Sequence, residues 1–484
     1  MSPPAGIPMM DAVALSRAIH DRHLSCAEVM AAYLDRIDAL NPTLNAIVSL
    51  RPREELMREA RERDDDLAAG QSRGWMHGFP QAIKDLADAA GLPTTKGSPL
   101  LKDSIARSDA SYVARMREAG AIIIGKTNVP EFGLGSNTYN PVFGPTANAY
   151  SPDHTAGGSS GGAAVALATR LLPVADGSDF GGSLRNPGAF NNVYGLRPGF
   201  GRVPANTEDV FLPGMSVNGP MARNVADLAQ LLAVQAGYDP RQPLGLDGDG
   251  AEFAAPLDRD VSGLRIGWLG DLDGRLPFEP GIIALCEAAL PIFENLGCHV
   301  ETVSLDYDME DVWQAFCTLR HWQVGAGLLP LYQDRSRRDQ LKPEAVWEIE
   351  SGLKLGVFDI TAASTRRSAW YQYVRNLFER FDFLLLPTAQ VFPFAIEENW
   401  PRRVGGREMD SYHRWMEVVV PVTMSGCPAI SVPVGFSEAG LPMGMQIWGP
   451  NRGERAVLEI AHAYDRATSF SEALPPGACD LPLF

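Results

Sequence analysis

The sequence predicts an α/β fold, a β-sheet with helices packed on its faces, and three observations carry that expectation. Short apolar, β-rich runs at residues 121–124, 171–174, 264–269, 383–386, 429–434 and 443–448 alternate with helical stretches. Hydrophobic residues make up 45% of the 484-residue chain and charged residues 21%. That is an ordinary globular balance, which excludes wholesale disorder, a collagen-like repeat and a coiled coil. The runs at both ends are equally apolar, with no internal repeat and no low-complexity tail, so residues 1–484 are read as a single domain.

Taken in chain order, the first clear element is a helix. Ser25 and Glu28 form a capping box, and Val29, Met30, Tyr33, Leu34, Ile37 and Leu40 keep helical spacing until Asn41 and Pro42, which are expected to stop it. Residues 52–66 are charge-rich. Asp64, Asp65 and Asp66 read as a solvated helix face, because consecutive carboxylates on a helix diverge too far to share a metal; His20 and His23 read as a helix-surface pair. Gly120 to Thr127 satisfies G-x-x-x-x-G-K-T, the phosphate-cradling pattern. The intervening Ala121, Ile122, Ile123 and Ile124 nevertheless read as a strand, and Asn128, Val129 and Pro130 follow in place of a helix, so a nucleotide hydrolase is only a remote alternative. A Gly/Asp/Pro-rich stretch at 240–258 reads as a surface loop between two halves. The 47 glycines and 37 prolines point to many tight turns and backbone-lined loops.

The net charge of −17 disfavours nucleic acid and anionic membrane surfaces as partners. No run of 18 apolar residues occurs, and residues 1–7 lack the basic and apolar regions of a signal peptide, so a cytoplasmic protein is expected. Cys26, Cys286, Cys298, Cys317, Cys427 and Cys479 are scattered without C-x-x-C spacing and read as reduced packing thiols. No metal and no cofactor are expected.

The chemistry concentrates in two glycine-serine segments. Ala156 to Gly162 (A-G-G-S-S-G-G) opens into the alanine-rich stretch 163–168, a loop launching a helix, where backbone N–H groups can face an anion; a plain linker is the bland alternative. Asp176 to Pro187 (D-G-S-D-F-G-G-S-L-R-N-P) sets Ser183 after two glycines. The N–H groups of Phe180, Gly181, Gly182 and Ser183 suit an oxyanion hole around a carbonyl attacked by Ser183; a glycine turn with a capping serine is the alternative. No histidine lies in a recognisable triad motif and G-x-S-x-G is absent, which leaves Lys84, at the end of the apolar run 79–83, as the candidate base.

With these residues in hand the chain resembles the amidase signature family of serine hydrolases. G-F-P-Q-A-I-K-D holds Lys84, G-G-S-S-G-G holds Ser159 and Ser160, and S-D-F-G-G-S-L-R-N-P holds Ser183, in the family's order and spacing. Supporting stretches begin at Gly125 (G-K-T-N-V-P-E-F-G), Tyr194 (Y-G-L-R-P) and Gly426 (G-C-P-A-I-S-V-P-V-G). The match is densest over residues 78–200. The resemblance implies a large central mixed β-sheet covered by helices on both faces. It also implies that Ser183 is the nucleophile and that Ser159, after a cis peptide, relays its proton to neutral Lys84. Ser160 and Arg185 are implied as supports, and the N–H groups of 180–183 as the oxyanion hole. An ordinary lysine, with pKa ~10.4, is neutral only about once in a thousand near pH 7.4, so burial must lower Lys84 by ~3 units, about 4 kcal/mol. Asp85 is expected to point away from Lys84, since neighbouring strand side chains alternate.

Two departures from the family pattern bear on substrate. Phe180 stands where a smaller residue is common, and the tyrosine- and serine-rich stretch of amidotransferase glutaminase subunits is replaced by Arg202 to Ser216, so a glutaminase of that kind is kept only as the alternative reading. The expected partner is a small-molecule amide, ester or carbamate; homo-oligomerisation is left open. Trp313, Phe316, Trp322, Trp370, Tyr371, Tyr373 and Trp415, within a variable region at 305–425, are candidates for an apolar cleft, with core packing as the alternative for each.

Overall fold

The computed structural model describes residues 6–205, 209–212 and 214–476; Cys479 and residues 1–5 lie outside them. Thirteen strands are formed among the described residues: β1 (Ile47–Val48), β2 (Pro80–Lys84), β3 (Ile122–Thr127), β4 (Ala175–Asp179), β5 (Tyr194–Arg197), β6 (Val217–Ala222), β7 (Arg265–Trp268), β8 (His299–Thr302), β9 (Phe383–Pro387), β10 (Arg403–Val404), β11 (Arg407–Glu408), β12 (Ala429–Phe436) and β13 (Pro442–Trp448). Eight of them make one sheet in the order β4-β6-β5-β12-β13-β9-β7-β8. It is mixed: β7 pairs parallel with β8 and β9, and the remaining pairs are antiparallel.

Alternation along the central strands explains why both faces are covered. In β9, Phe383 and Leu385 join one hydrophobic core while Leu384 and Leu386 join another. The first core packs β12 and β13 against the helices Arg185–Phe190, Ile282–Glu287 and Glu454–Ala467; the second joins β9 to the long helices Met309–Gln333 and Val357–Leu377. The expected mixed sheet between two helical layers is therefore present.

A second, three-stranded sheet, in the order β1-β3-β2, carries Lys84 on its edge strand. β2 runs parallel to β3, and its other side lies against β4, the edge of the large sheet. Across that seam the backbone N–H of Lys84 donates to the side chain of Asp176 at 3.3 and 3.2 Å, so a carboxylate joins the sheets where no backbone ladder does.

Several expectations are corrected. The apolar run 171–174 is buried but is not a strand; Pro173 interrupts it, and the polar segment Ala175–Asp179 forms β4 instead. The helix capped by Ser25 runs through Pro42 to Leu44: Pro42 removes one i→i−4 hydrogen bond without ending the helix, and Asn45 at φ 51 makes the stop, its N–H reaching Asn41 O at 2.7 Å. Asp64 does more than face solvent, because its carboxylate accepts from the N–H groups of Cys26 and Ala27, at the start of that helix, at 2.6 and 3.1 Å. The 120–127 segment is β3, as its isoleucines imply, and Lys126 is buried beside Asp85 (3.7 Å), which removes it from any phosphate-binding role.

Candidate active site

Lys84 is the last residue of β2 and is 1% exposed. Its Nζ lies 2.9 Å from Ser159 Oγ, 2.7 Å from Ser160 Oγ, 3.0 Å from Ser178 Oγ and 3.1 Å from Ser178 O. Burial lowers its pKa to about 7, against the raising influence of Asp176 and Asp179. Asp85 plays no part: it accepts from the N–H and hydroxyl of Thr95 and faces Lys126. A neutral amine offers two donors and one acceptor. The Ser178 carbonyl, which can only accept, takes one N–H and a neighbouring hydroxyl the other, which leaves the lone pair for the Ser159 proton.

Ser159 follows the cis Gly158–Ser159 peptide. The loop around it is held from both sides, with Ser136 Oγ donating to Gly158 O (2.7 Å), Thr138 Oγ1 to Gly157 O (2.7 Å) and the Ser160 N–H to Ser183 O (3.2 Å). The helix Gly161–Ala168 that follows is wholly buried. A Cβ on Gly162 would sit 2.4 Å from Asn128 N and 2.5 Å from Ala46 O, so only glycine lets this helix approach the backbone beside β3 so closely.

Ser183 sits on the turn between β4 and the helix Arg185–Phe190 and is 8% exposed, more than Lys84 or Ser159, so of the three it is the side chain most open to an incoming molecule. Asp179 organises this turn. Its carboxylate accepts from Gly182 N–H (2.9 Å), Leu184 N–H (3.2 Å), Arg185 Nε and Nη2 (both 3.0 Å) and Arg197 Nη1 (3.0 Å). Burial opposes its charge, yet Arg185 and Arg197 hold the carboxyl well below the usual carboxylate range. Arg185 is fully buried and also donates to Val419 O, Gln446 Oε1 and Thr423 Oγ1. The four-donor oxyanion hole needs correcting on geometry: Gly182, at φ 95, turns its N–H toward Asp179, which leaves the N–H groups of Phe180, Gly181 and Ser183 without protein acceptors among the described residues.

Over this turn lies an aromatic wall. Phe180 meets Phe316 edge-on at 6.3 Å between centroids, and the Arg320 guanidinium sits 4.9 Å above the Phe180 ring. Arg320 is fixed by Glu348 Oε1 (2.7 Å) and Tyr412 OH (2.6 Å); burial raises the Glu348 carboxyl, but Arg320 and His321 bring it to about 2. Of the seven aromatic candidates Phe316, itself buried, is the one whose ring meets Phe180 on the Ser183 turn. Trp313 backs Phe316, and Trp370 and Trp415 are core residues, the former against Tyr307, Tyr373 and Trp448, the latter against Phe394. A cavity of about 270 Å³ bounded by Glu131, Tyr139, Lys342 and Glu344 includes none of Lys84, Ser159 or Ser183.

Lys84, Ser159, Ser160 and the turn bearing Ser183 and Arg185 thus come together from three separate stretches of chain. Sequence reasoning missed Ser178 and Asp176 as neighbours of Lys84. Their signal was period two: both lie on the face of β4 that turns toward β2. Phe180's partner Arg320 and the Glu348–Tyr412 pair carried no local signal. Among the described residues no helix is long and apolar enough to cross a membrane, and no three His, Cys, Asp or Glu side chains are grouped to hold a metal.

The amidase family model matches residues 28–458. An acylamidase of Rhodococcus erythropolis is 33% identical over 473 residues, 96% of this chain and 97% of that protein. The glutamyl-tRNA(Gln) amidotransferase of Methylococcus capsulatus contributes a second relative: one of its subunits is 33% identical, over 96% of this chain and 98% of that one. The crystal structure of a bacterial aryl acylamidase of the amidase signature family superposes with a TM-score of 0.91 at 30% identity, covering 98% of this chain and 99% of that one. The chain belongs to the amidase signature family, hydrolases of carbon–nitrogen bonds.

Proposed function

We propose that this protein is an amidohydrolase that cleaves the C–N bond of small neutral amides, with aryl amides and carbamates in its range, through an acyl-enzyme on Ser183. The observation that carries the reading is the placement of Lys84 Nζ 2.9 Å from Ser159 Oγ in a buried site where its pKa falls to about 7. Neutral Lys84 accepts the Ser159 proton as Ser159 accepts that of Ser183, and Ser183 Oγ bonds to the substrate carbonyl carbon. The oxyanion is met by the N–H groups of Phe180, Gly181 and Ser183, which the Asp179 frame holds in place before substrate arrives. The proton returns through Ser159 to the departing nitrogen, the C–N bond breaks, and water, deprotonated by the same relay, releases the acid and frees Ser183.

Phe180, partly exposed and backed by the buried Phe316, offers apolar area beside the turn, which favours an aryl or alkyl portion over a free charged amide such as glutamine. Resemblance to an acylamidase and an aryl acylamidase supports the same class. A cytoplasmic setting goes with it, on the unpaired thiols of Cys26, Cys286, Cys298, Cys317 and Cys427. A second reading, the glutaminase component of an amidotransferase, is favoured by the 33% identity to a protein of that kind. A matched panel of 4-nitroanilides, aryl carbamates, primary amides and glutamine, ranked by kcat/KM, separates the two. An anilide or carbamate in first place supports the proposal; glutamine in first place overturns it.

A further inference from the structure

Asp176 is fully buried on β4, and none of the catalytic roles assigned to Lys84, Ser159 and Ser183 uses it. Three observations single it out. It accepts the backbone N–H of Lys84 across the seam where the two sheets share no ladder. It accepts the hydroxyl of Tyr112 at 2.8 Å, from the helix Ser111–Glu118, and that tyrosine is itself buried. It stands two residues before Ser178, whose carbonyl and hydroxyl both reach Lys84 Nζ, so one face of β4 addresses both ends of the same lysine. A packing role alone would be met by an apolar residue. A buried carboxylate costs several kcal/mol in desolvation unless its charge is used or compensated.

Resting on the reading of Lys84 as the base, we propose that Asp176 is a positioning residue for it: the carboxylate fastens the lysine's strand to the nucleophile's strand and supplies the negative charge against which the ammonium gives up its proton. Burial by itself would drive Lys84 further toward the neutral form, so that the amine would be a weak base when its turn came to hold the Ser159 proton. Asp176 returns part of that basicity, and Asp179 acts in the same direction from further along β4. Burial pushes the Asp176 carboxyl up, and the hydrogen bonds from Tyr112 and the Lys84 N–H, with the charges of Lys126 and Lys84, act against that in favour of the carboxylate. Lys126 comes from β3 and is shared with Asp85, and Asp88 faces both Lys126 and Tyr112. These groups are the ionisable neighbours of the pair on the packed elements.

The test is the pH dependence of the rate at which a fluorophosphonate labels Ser183, measured for the wild type, Asp176→Asn and Tyr112→Phe. Labelling reports activation of the nucleophile without needing the natural substrate. Wild type is expected to show a rising limb near pH 7. Asp176→Asn removes a negative charge, so its limb moves to lower pH, by about one unit, whatever the height of its plateau. Tyr112→Phe, which only weakens the ionised form of Asp176, moves the limb the same way by less and serves where Asp176→Asn does not fold. A structural role would lower the plateau and leave the limb in place. A limb unmoved in the folded variants, or moved upward, overturns this inference alone. Wild type that is not labelled at Ser183, or that shows no limb, overturns the reading of the base on which it rests.

Discussion

Arg185 and Asp179 form a fully buried two-bond ion pair, Nε to Oδ2 and Nη2 to Oδ1, both at 3.0 Å, and the turn carrying Ser183 lies between them in the chain. The pair makes the turn rigid where it must be. With Gly182 and Leu184 N–H also bound to Asp179, the donors left pointing elsewhere are those that can meet an oxyanion. Arg185→Met leaves Asp179 with Arg197 as its only cation. The expected result is a loss of about 3 kcal/mol in urea unfolding, the low end for a broken buried pair, together with a large fall in kcat. Arg185→Lys keeps the charge but not the fork and should recover only part of both. Wild-type stability and kcat in Arg185→Met would contradict the frame.

The lysine makes two pH predictions. Activity should rise through a limb near pH 7, and Lys84→Arg, whose guanidinium cannot deprotonate in this range, should be inactive. For stability, the folded pKa lies below the ordinary value of 10.5, so between about 7 and 10.5 the unfolded chain binds the proton and the folded chain does not. Stability contributed by this group therefore rises with pH across that window. Lys84→Met should gain stability relative to wild type at pH 6, with the gain shrinking toward pH 10. Denaturant midpoints at pH 6 and pH 9 check the sign; a gain that grows with pH would contradict the depressed lysine.

Phe316 is expected to govern aryl substrates and to leave small ones alone. Losing the apolar contact of a ring is worth about 1.5–3 kcal/mol, so Phe316→Ala should lower kcat/KM for anilides about tenfold or more, mostly through KM, while a short aliphatic amide changes little. Equal losses on both would mean that the ring supports the turn and does not touch substrate.

Activity should survive a chelator. The chemistry assigned to Lys84, Ser159 and Ser183 needs no Lewis acid, and loss on EDTA with recovery on added zinc would count against the assignment.

How far the sequence foretold this depends on how local each signal was. The two glycine-serine segments announce themselves because glycine, serine and a following helix sit within a dozen residues, and the Ser25 capping box is equally local. β4 was displaced because its residues, Ala175 to Asp179, carry polar groups that serve Lys84 and Arg185 and hide the strand from hydrophobicity, while the apolar run before it packs as irregular chain around Pro173. The aromatic candidates could not be sorted from composition: Trp370 and Phe316 look alike in sequence and both are buried in one core, and only the fold puts Phe316 beside Phe180. The Arg320–Glu348–Tyr412 group joins a helix, its neighbour and a distant loop, contacts that no spacing announces.

The central claim is that Ser183 is the residue acylated. Brief exposure of the protein to a fluorophosphonate, followed by intact-mass and peptide mass spectrometry, tests it most directly. One adduct per chain is expected, on the peptide containing Ser183, strongly slowed in Ser159→Ala and Lys84→Met and absent in Ser183→Ala. An adduct on another residue, or full amidase activity in Ser183→Ala, would contradict it.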